Sequence, residues 1–442
     1  MAFLHKSLLY FCLLHFIALP TQALKPPFRP KALVLPITKD SSTLQYTTQI
    51  NQRTPLVQLK LTVDLGGRHL WVDCQTPRYI SSSFKPARCN SAQCRLADSA
   101  GWSCEPECHP NTPTRPGCNK NTCRVYPENT VSFIPDWGQV GQDVVSLRST
   151  DGSTVGQTVA YPDFIFACAP TLLLNGLAKG VKGMVGLGRN RVSLPSQFSN
   201  VAKRFALCLS SSPNNNGVLI FGDVSYKIFP NVYSSDSLAF TPLILNPVST
   251  SSIHRDSEPS AEYFIGVKSI KIDDKAIPLN KTLLSINKQG YGGTKISTTY
   301  YPYTALHTSI YNSLIKEFTK RMQSQGAKRV EAVAPFEACF NSTGIFGTRV
   351  GPSVPVISLA LKDSKVDWDM YGSNSMVEVK KGVFCLGFVD GGWNPVTSIV
   401  LGGYQLENVL LQFDVAGKRF GFSPTLLGQR TGCAHFNFTT NA

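Results

Sequence analysis

Short runs rich in β-branched and aromatic residues recur along the chain, at Val57 to Val63, Phe164 to Ala167, Val218 to Phe221, Tyr263 to Ile272 and Val409 to Phe413. Clusters of Gly, Pro, Asn and Ser punctuate them, the pattern of strands joined by turns. Helical periodicity is confined mainly to Ser309 to Gln323, where Ile310, Leu314, Ile315 and Phe318 fall at spacings of three and four. The chain is therefore predicted to be mainly β, with a few short helices. A polar stretch from Asn246 to Ser260, rich in Ser and Pro, reads as a surface loop.

A weak internal repeat underlies this pattern. Two segments, Leu61-Thr62-Val63-Asp64-Leu65-Gly66-Gly67 and Thr294-Lys295-Ile296-Ser297-Thr298-Thr299, each close an apolar strand. Roughly a hundred residues after each comes an apolar stretch followed by Gly, Met184-Val185-Gly186-Leu187-Gly188 and then Ile399-Val400-Leu401-Gly402-Gly403. Two similar lobes meeting at a cleft explain this better than two unrelated domains.

Composition changes the picture little, but charge and cysteines change it more. The 442 residues suffice for two lobes, and 43 Lys and Arg against 28 Asp and Glu leave a net charge of +15. The basic residues are dispersed and form no nucleic-acid module, so nucleic acid is not an expected partner. Lys6, the apolar run Ser7 to Pro20 and the small-residue site Thr21-Gln22-Ala23 predict a secretory signal over residues 1–23. No later apolar run is long enough to predict a membrane span.

Loss of Cys12 with that signal would leave an even number of the 13 cysteines, as expected for disulfides in an exported protein. Cys89, Cys94, Cys104, Cys108, Cys118 and Cys123 crowd into a predicted loop-rich insertion, residues 89–123. Zinc is the rival reading, because His109 follows Cys108, but paired Cys-x2-Cys knuckles are absent and no metal or cofactor is expected. Sequons at Asn280, Asn341 and Asn437 agree with export.

Phe164-Ile165-Phe166-Ala167-Cys168, Gly183 to Arg189, Ser193 to Phe198, Val218 to Asp223 and Ser398 to Phe422 resemble the pepsin-type aspartic-protease fold in its plant form. Val63 to Gly67 with Leu70-Trp71-Val72-Asp73-Cys74, Val333 to Phe340, Gly351 to Pro355, Gly372 to Met376 and Asn437-Phe438-Thr439 resemble one non-proteolytic branch of it. That branch contains extracellular dermal glycoproteins, xyloglucan-specific endoglucanase inhibitors and basic 7S globulins, with xylanase inhibitors as cousins. The resemblance implies a bilobal fold, with an N-terminal lobe over residues 24–232 and a C-terminal lobe over 233–442. It also implies that Cys74 pairs with Cys168, Cys208 with Cys433 and Cys339 with Cys385, the crowded cysteines pairing locally.

An aspartic protease needs two carboxylates sharing one proton. Here the positions are Asp64 and Ser297, so the dyad is degenerate and no catalytic residue is expected. Active relatives follow each aspartate with Thr or Ser, whereas Leu65 stands in the first such place. Pro127 follows Tyr126, which matches the flap tyrosine, where active plant enzymes have Gly. Asp64 reads as a relic satisfied by neighbouring backbone donors. Asp273-Asp274 could supply a replacement carboxylate but reads as a β-turn. The glycines at 180, 183, 186 and 188 lack the Lys-Ser or Lys-Thr of a phosphate loop. His69 and His307 have no Ser or Cys nucleophile in a recognised signature and default to core or surface roles.

A function that needs no dyad is the blocking of another enzyme. In the endoglucanase inhibitors two loop arginines enter the target's active site, and the matching motifs here are Phe346-Gly347-Thr348-Arg349-Val350-Gly351-Pro352 and Leu427-Gly428-Gln429-Arg430-Thr431-Gly432-Cys433. A guanidinium can pair bidentately with the carboxylates that glycosidases present. The resemblance thus implies a secreted, apoplastic or cell-wall glycoprotein inhibiting a microbial xyloglucan endoglucanase through Arg349 and Arg430. Positive charge would aid retention on acidic wall polysaccharide. A storage or peptide- or carbohydrate-binding protein of the basic 7S globulin kind is the alternative, and an active aspartic endopeptidase is a remote one.

Overall fold

A computed structural model of the chain describes residues 28–97, 115–119, 121–198, 201–252 and 258–439. The predicted signal, together with Cys104, Cys108 and His109, lies outside them. The fold is mainly β and bilobal. The strand Val57–Asp64 runs parallel to Gly183–Gly186 with Asp64 opposite Gly186, while Leu70–Asp73 lies antiparallel to Gly183–Gly186 and parallel to the end of Val155–Ala169. The same arrangement recurs with Thr294–Ile296 parallel to Ile399–Leu401, and with Thr304–Leu306 antiparallel to Ile399–Leu401 and parallel to Phe388–Asp390.

This is the physical form of the internal repeat. Ile296 pairs with Leu401 and the Ser297 amide donates to the Leu401 carbonyl at 3.0 Å, so the register carries Ser297 to Gly402 as Asp64 lies opposite Gly186. Parallel strands covered on both faces read as continuous apolar runs, and Met184-Val185 and Ile399-Val400-Leu401 are all buried. Gly186 is required by close approach: a Cβ there would sit 2.5 Å from the Gly67 carbonyl oxygen.

The halves share an antiparallel sheet in which Ala32–Lys39 pairs with Gly217–Gly222, and that strand with Arg204–Cys208. Arg204–Cys208 pairs in turn with Leu410–Asp414, followed by Arg419–Phe422 and Ala239–Ile244. Phe205 stacks on Phe413 at 4.8 Å across the central join, and the Cys208–Cys433 disulfide closes a 225-residue separation there. Loss of such a bridge typically costs about 2–5 kcal/mol. Further disulfides join Cys74 to Cys168, Cys94 to Cys123 and Cys339 to Cys385, and Cys89 and Cys118 are also disulfide-bonded.

The long helix spans Thr308–Ser324 and buries Ile310, Leu314, Ile315 and Phe318. His307 caps it, Nδ1 accepting from the Ser309 amide at 3.1 Å. One strand expectation is corrected: Tyr263 to Ile272 is two strands, Tyr263–Ile265 and Val267–Ile272, in different sheets. Gly266 makes the corner, because a Cβ there would lie 2.8 Å from the Lys362 Cβ. Asp273 and Asp274, at φ 44° and 64°, form the turn after the second of these strands. Among the described residues, no helix is long and apolar enough to cross a membrane.

Candidate functional site

The two repeated segments meet at the floor of a cleft enclosing about 190 Å³, lined by Asp64 and Ser297. They are clamped from one side only. The Thr298 hydroxyl accepts from the Leu65 amide at 3.1 Å and donates to the Val63 carbonyl at 2.7 Å. Leu65 is fully buried and its side chain returns nothing, so the reciprocal half is missing.

Asp64 is 4% exposed. Its Oδ1 accepts from the Gly66 amide at 3.1 Å and its Oδ2 from the Thr130 hydroxyl at 2.9 Å, with Thr299 Oγ1 at 3.4 Å from Oδ1. Backbone donors alone therefore do not satisfy it, as the sequence reading has them do; two hydroxyls from distant segments share the task. Burial pushes the carboxyl up to about 7 against the opposing Thr130 hydrogen bond, with Glu262 and Glu128 adding to the rise. Ser297 Oγ accepts from the Thr299 and Tyr300 amides at 3.3 and 3.1 Å. It stands at the register position of Asp64 but holds only its own turn.

Thr130 follows the strand Glu128–Asn129, which pairs with Ile134–Pro135 in a hairpin over the cleft. Its hydroxyl is also 2.9 Å from Thr299 Oγ1, while Phe133 packs edge-on to Tyr300 at 4.7 Å. Tyr126 lines the cleft, yet Thr130 makes the contact with the carboxyl. The rest of the cleft is likewise paired internally. Lys295, with a side chain 6% exposed, meets Glu262 at 2.7 Å and lies 4.8 Å from the Tyr300 ring. Arg68 meets Glu258 at 2.6 Å. Ser249 to Ser252 and Ser260, from the polar loop of the second half, form part of the wall. His69 also lines the cleft, its Nε2 3.3 Å from the Ala97 carbonyl oxygen.

The two candidate arginines lie elsewhere, both exposed. Arg349 is in the turn between Gly347–Thr348 and Gly351–Pro352. Thr348 Oγ1 donates to the Gly351 carbonyl at 2.6 Å, and the Ser373 amide to the Val350 carbonyl at 2.8 Å. Arg430 ends a short helical turn in the left-handed region, at φ 59°. Gln429 beside it accepts from Tyr233 and Thr431 donates to the Phe229 carbonyl. The loops are neighbours, since a Cβ on Gly428 would lie 3.8 Å from Val350 Cγ1. Phe346, 76% exposed, shares the Arg349 loop. Asn280 and Asn437 are exposed and Asn341 partly so.

Thr130, Glu262, Lys295 and the Ser249 to Ser252 wall escaped the sequence reading. Thr130, Glu262 and the Ser249 to Ser252 wall come from segments distant in the chain, whereas Lys295 lies two residues from Ser297 and its role shows only through its contact with Glu262. Only the hydroxyl-rich composition of residues 246–260 offered a signal.

The paired strand repeat, shared sheet and central cleft define a pepsin-like protein. A solved aspartic proteinase from Irpex lacteus shares the fold at TM-score 0.57 and 13% identity, covering 91% of this chain and 99% of its own. Residues 46–223 match the family described as xylanase inhibitor N-terminal and residues 262–424 the one described as xylanase inhibitor C-terminal. The chain belongs to this xylanase-inhibitor-like family of plant pepsin-like proteins, together with gamma conglutins and basic 7S globulins. It is 54% identical to a Nicotiana benthamiana protein named probable aspartic proteinase GIP2, over 99% of both chains. Gamma conglutin 1 of Prunus dulcis is 41% identical over 100% of this chain and 98% of its own. The crystal structure named edgp matches at TM-score 0.91 and 55% identity, covering 94% of this chain and all of that one.

Proposed function

We propose that this protein is a secreted, non-proteolytic glycoprotein that inhibits a microbial xyloglucan endoglucanase by placing Arg349 and Arg430 against the target's catalytic carboxylates. The observation that carries the reading is the pair of exposed arginines on adjoining, internally braced loops. Bracing lowers the ordering cost of binding, and a guanidinium in a partly desolvated cleft forms strong paired bonds to carboxylate. Ser297 at the register position of Asp64 supports the non-proteolytic part of the reading, because it leaves no second carboxylate there to split the pKa values. Export to the apoplast, glycans on Asn280, Asn341 and Asn437, and retention on acidic wall polysaccharide belong to the same proposal.

Titration of a xyloglucan endoglucanase with wild type, Arg349→Ala and Arg430→Ala tests it. Each substitution is expected to weaken inhibition by about 2–5 kcal/mol. Full inhibition by the double variant would discard the site while keeping the activity. No inhibition of several microbial enzymes by wild type would favour the second reading, a storage or ligand-binding role, which the likeness to gamma conglutins and basic 7S globulins supports.

A further inference from the structure

The hairpin of Tyr226–Ile228 and Asn231–Tyr233 breaks the alternation expected of a surface strand pair, apolar inward and polar outward. Tyr226, Ile228 and Tyr233 obey it, buried in the apolar cluster that also holds Leu426 and Cys433. On the outer side Lys227 obeys it too. Val232, directly opposite Lys227, and Phe229, in the connecting turn, do not: they are 59% and 65% exposed. Single exposed apolar residues need no explanation, but two on one short hairpin beside a candidate binding surface do.

The hairpin is fastened to the Arg430 loop on both sides of the arginine. Gln429 Oε1 accepts from the Tyr233 hydroxyl and, at 3.4 Å, from the Asn231 side-chain amide, while the Thr431 hydroxyl donates to the Phe229 carbonyl. The Arg430 loop in turn adjoins the Arg349 loop, where Phe346 is likewise exposed. Three segments distant in the chain thus place exposed apolar side chains next to two exposed guanidinium groups. No acidic side chain among the described residues pairs with either arginine.

We propose that Phe229 and Val232 form an apolar shoulder to the Arg430 contact, seated against the apolar rim of the partner's carboxylate-bearing cleft. This rests on the inhibitory role proposed for Arg349 and Arg430. Guanidinium groups supply attraction and pairing to carboxylates, but a charged contact holds best where apolar neighbours exclude water around it. Phe229 and Val232 are placed to do that for Arg430. Fastening at residues 429 and 431 presents shoulder and arginine in one geometry, which lowers the ordering cost of binding. A partner with a wholly polar face would gain nothing from two side chains that cannot hydrogen-bond. A carboxylate cleft with an apolar rim matches both features.

The test measures inhibition constants and binding rates against a xyloglucan endoglucanase for wild type, Phe229→Gln/Val232→Thr and Phe229→Tyr. Ile80→Gln, at a side chain 72% exposed beside the Ser81–Asp143 contact, controls for the loss of an exposed apolar group elsewhere. The double variant should inhibit at least about tenfold more weakly. Faster dissociation should account for this, with association within about twofold because no charge changes. Phe229→Tyr keeps the ring and should stay within about threefold of wild type, and Ile80→Gln should match it. Both hairpin side chains are exposed, so the double variant should keep the wild-type melting temperature. Slower amide exchange over residues 226–233 of wild type in the complex is a second readout that needs no variant. Undiminished inhibition by the double variant, or no protection of the hairpin, would overturn the proposal while leaving the arginines in place. No inhibition by wild type would overturn both readings, so the two failures are distinct. A dimer of the free protein that the double variant dissolves would assign this face to self-association and overturn it as well.

Discussion

The two segments at the floor of the cleft differ in opposite ways. The first keeps a carboxyl at Asp64 but has Leu65 where a hydroxyl would reach across; the second keeps that hydroxyl at Thr298 but has Ser297 in the carboxyl's register position. One hydroxyl still ties the halves together at both Val63 and Leu65. Mechanical coupling and acid–base chemistry are thus separable properties of the same loops. The inhibitory role proposed for the Arg349 and Arg430 loops would need only the first.

The largest test concerns the carboxyl that remains. Burial, with Glu262 and Glu128 adding to it, holds its pKa at about 7 in the folded protein against 3.8 for an ordinary aspartate. A raised folded value means that the folded state holds the proton more tightly. The stabilising contribution is complete below about 3.8, declines as pH rises, and is gone above about 7. The full swing is about 4 kcal/mol, most of it between pH 4 and pH 8. Comparing denaturant unfolding of wild type and Asp64→Asn at pH 4 and pH 8 should show the variant gaining by about that amount at the higher pH. A difference that does not change with pH would mean the carboxyl is not desolvated, and would weaken the contrast between the segments.

Next in size is the surviving clamp. Thr298→Val removes the acceptor for the Leu65 amide and the donor to the Val63 carbonyl in a buried place, at an expected cost of about 2–3 kcal/mol. Thr298→Ser should recover most of it. Equal stability of all three proteins by denaturant melt would show that the lobes are held by the shared sheet and the Cys208–Cys433 bridge alone.

Much of this frame was legible in the sequence because it rests on local pattern. The apolar stretches before Gly186 and Gly402 announced the paired central strands, and the spacing of Ile310, Leu314, Ile315 and Phe318 announced the long helix. The break at Gly266 was less visible, because its cause is the approach of Lys362 from another strand. Contacts within the cleft were hidden for the same reason. Thr130 reaches Asp64 from 66 residues away, and nothing in Glu128-Asn129-Thr130 alone distinguishes that hydroxyl from a solvated turn. Arg349 and Arg430 were reached through resemblance, and the structure adds that their loops adjoin.

A smaller effect is expected from loosening the hairpin over the cleft. Thr130→Ala removes its hydrogen bond to Asp64 and leaves Phe133 packed on Tyr300. Loss of about 1 kcal/mol should speed amide hydrogen exchange in residues 128–135 several-fold, with little change in the global melt. Unchanged exchange there would mean that the apolar contact alone closes the hairpin.

The smallest expected effect is on proteolysis, when a carboxyl is placed at position 297. The Ser297 side chain accepts from two backbone amides, and an aspartate could accept from the same donors, so Ser297→Asp should fold. It would bring a second carboxyl to a buried site where Asp64 already holds its proton up to about 7, and like charge would raise that affinity further. Yet Leu65 would still supply no hydroxyl to hold the pair, and Thr130 would still occupy Asp64 Oδ2. No digestion of a denatured protein is therefore expected near pH 3. Digestion that appeared in Ser297→Asp and vanished with Asp64→Asn added would show that one side chain separates this cleft from a protease, and that the clamp and the flap never lost their catalytic geometry.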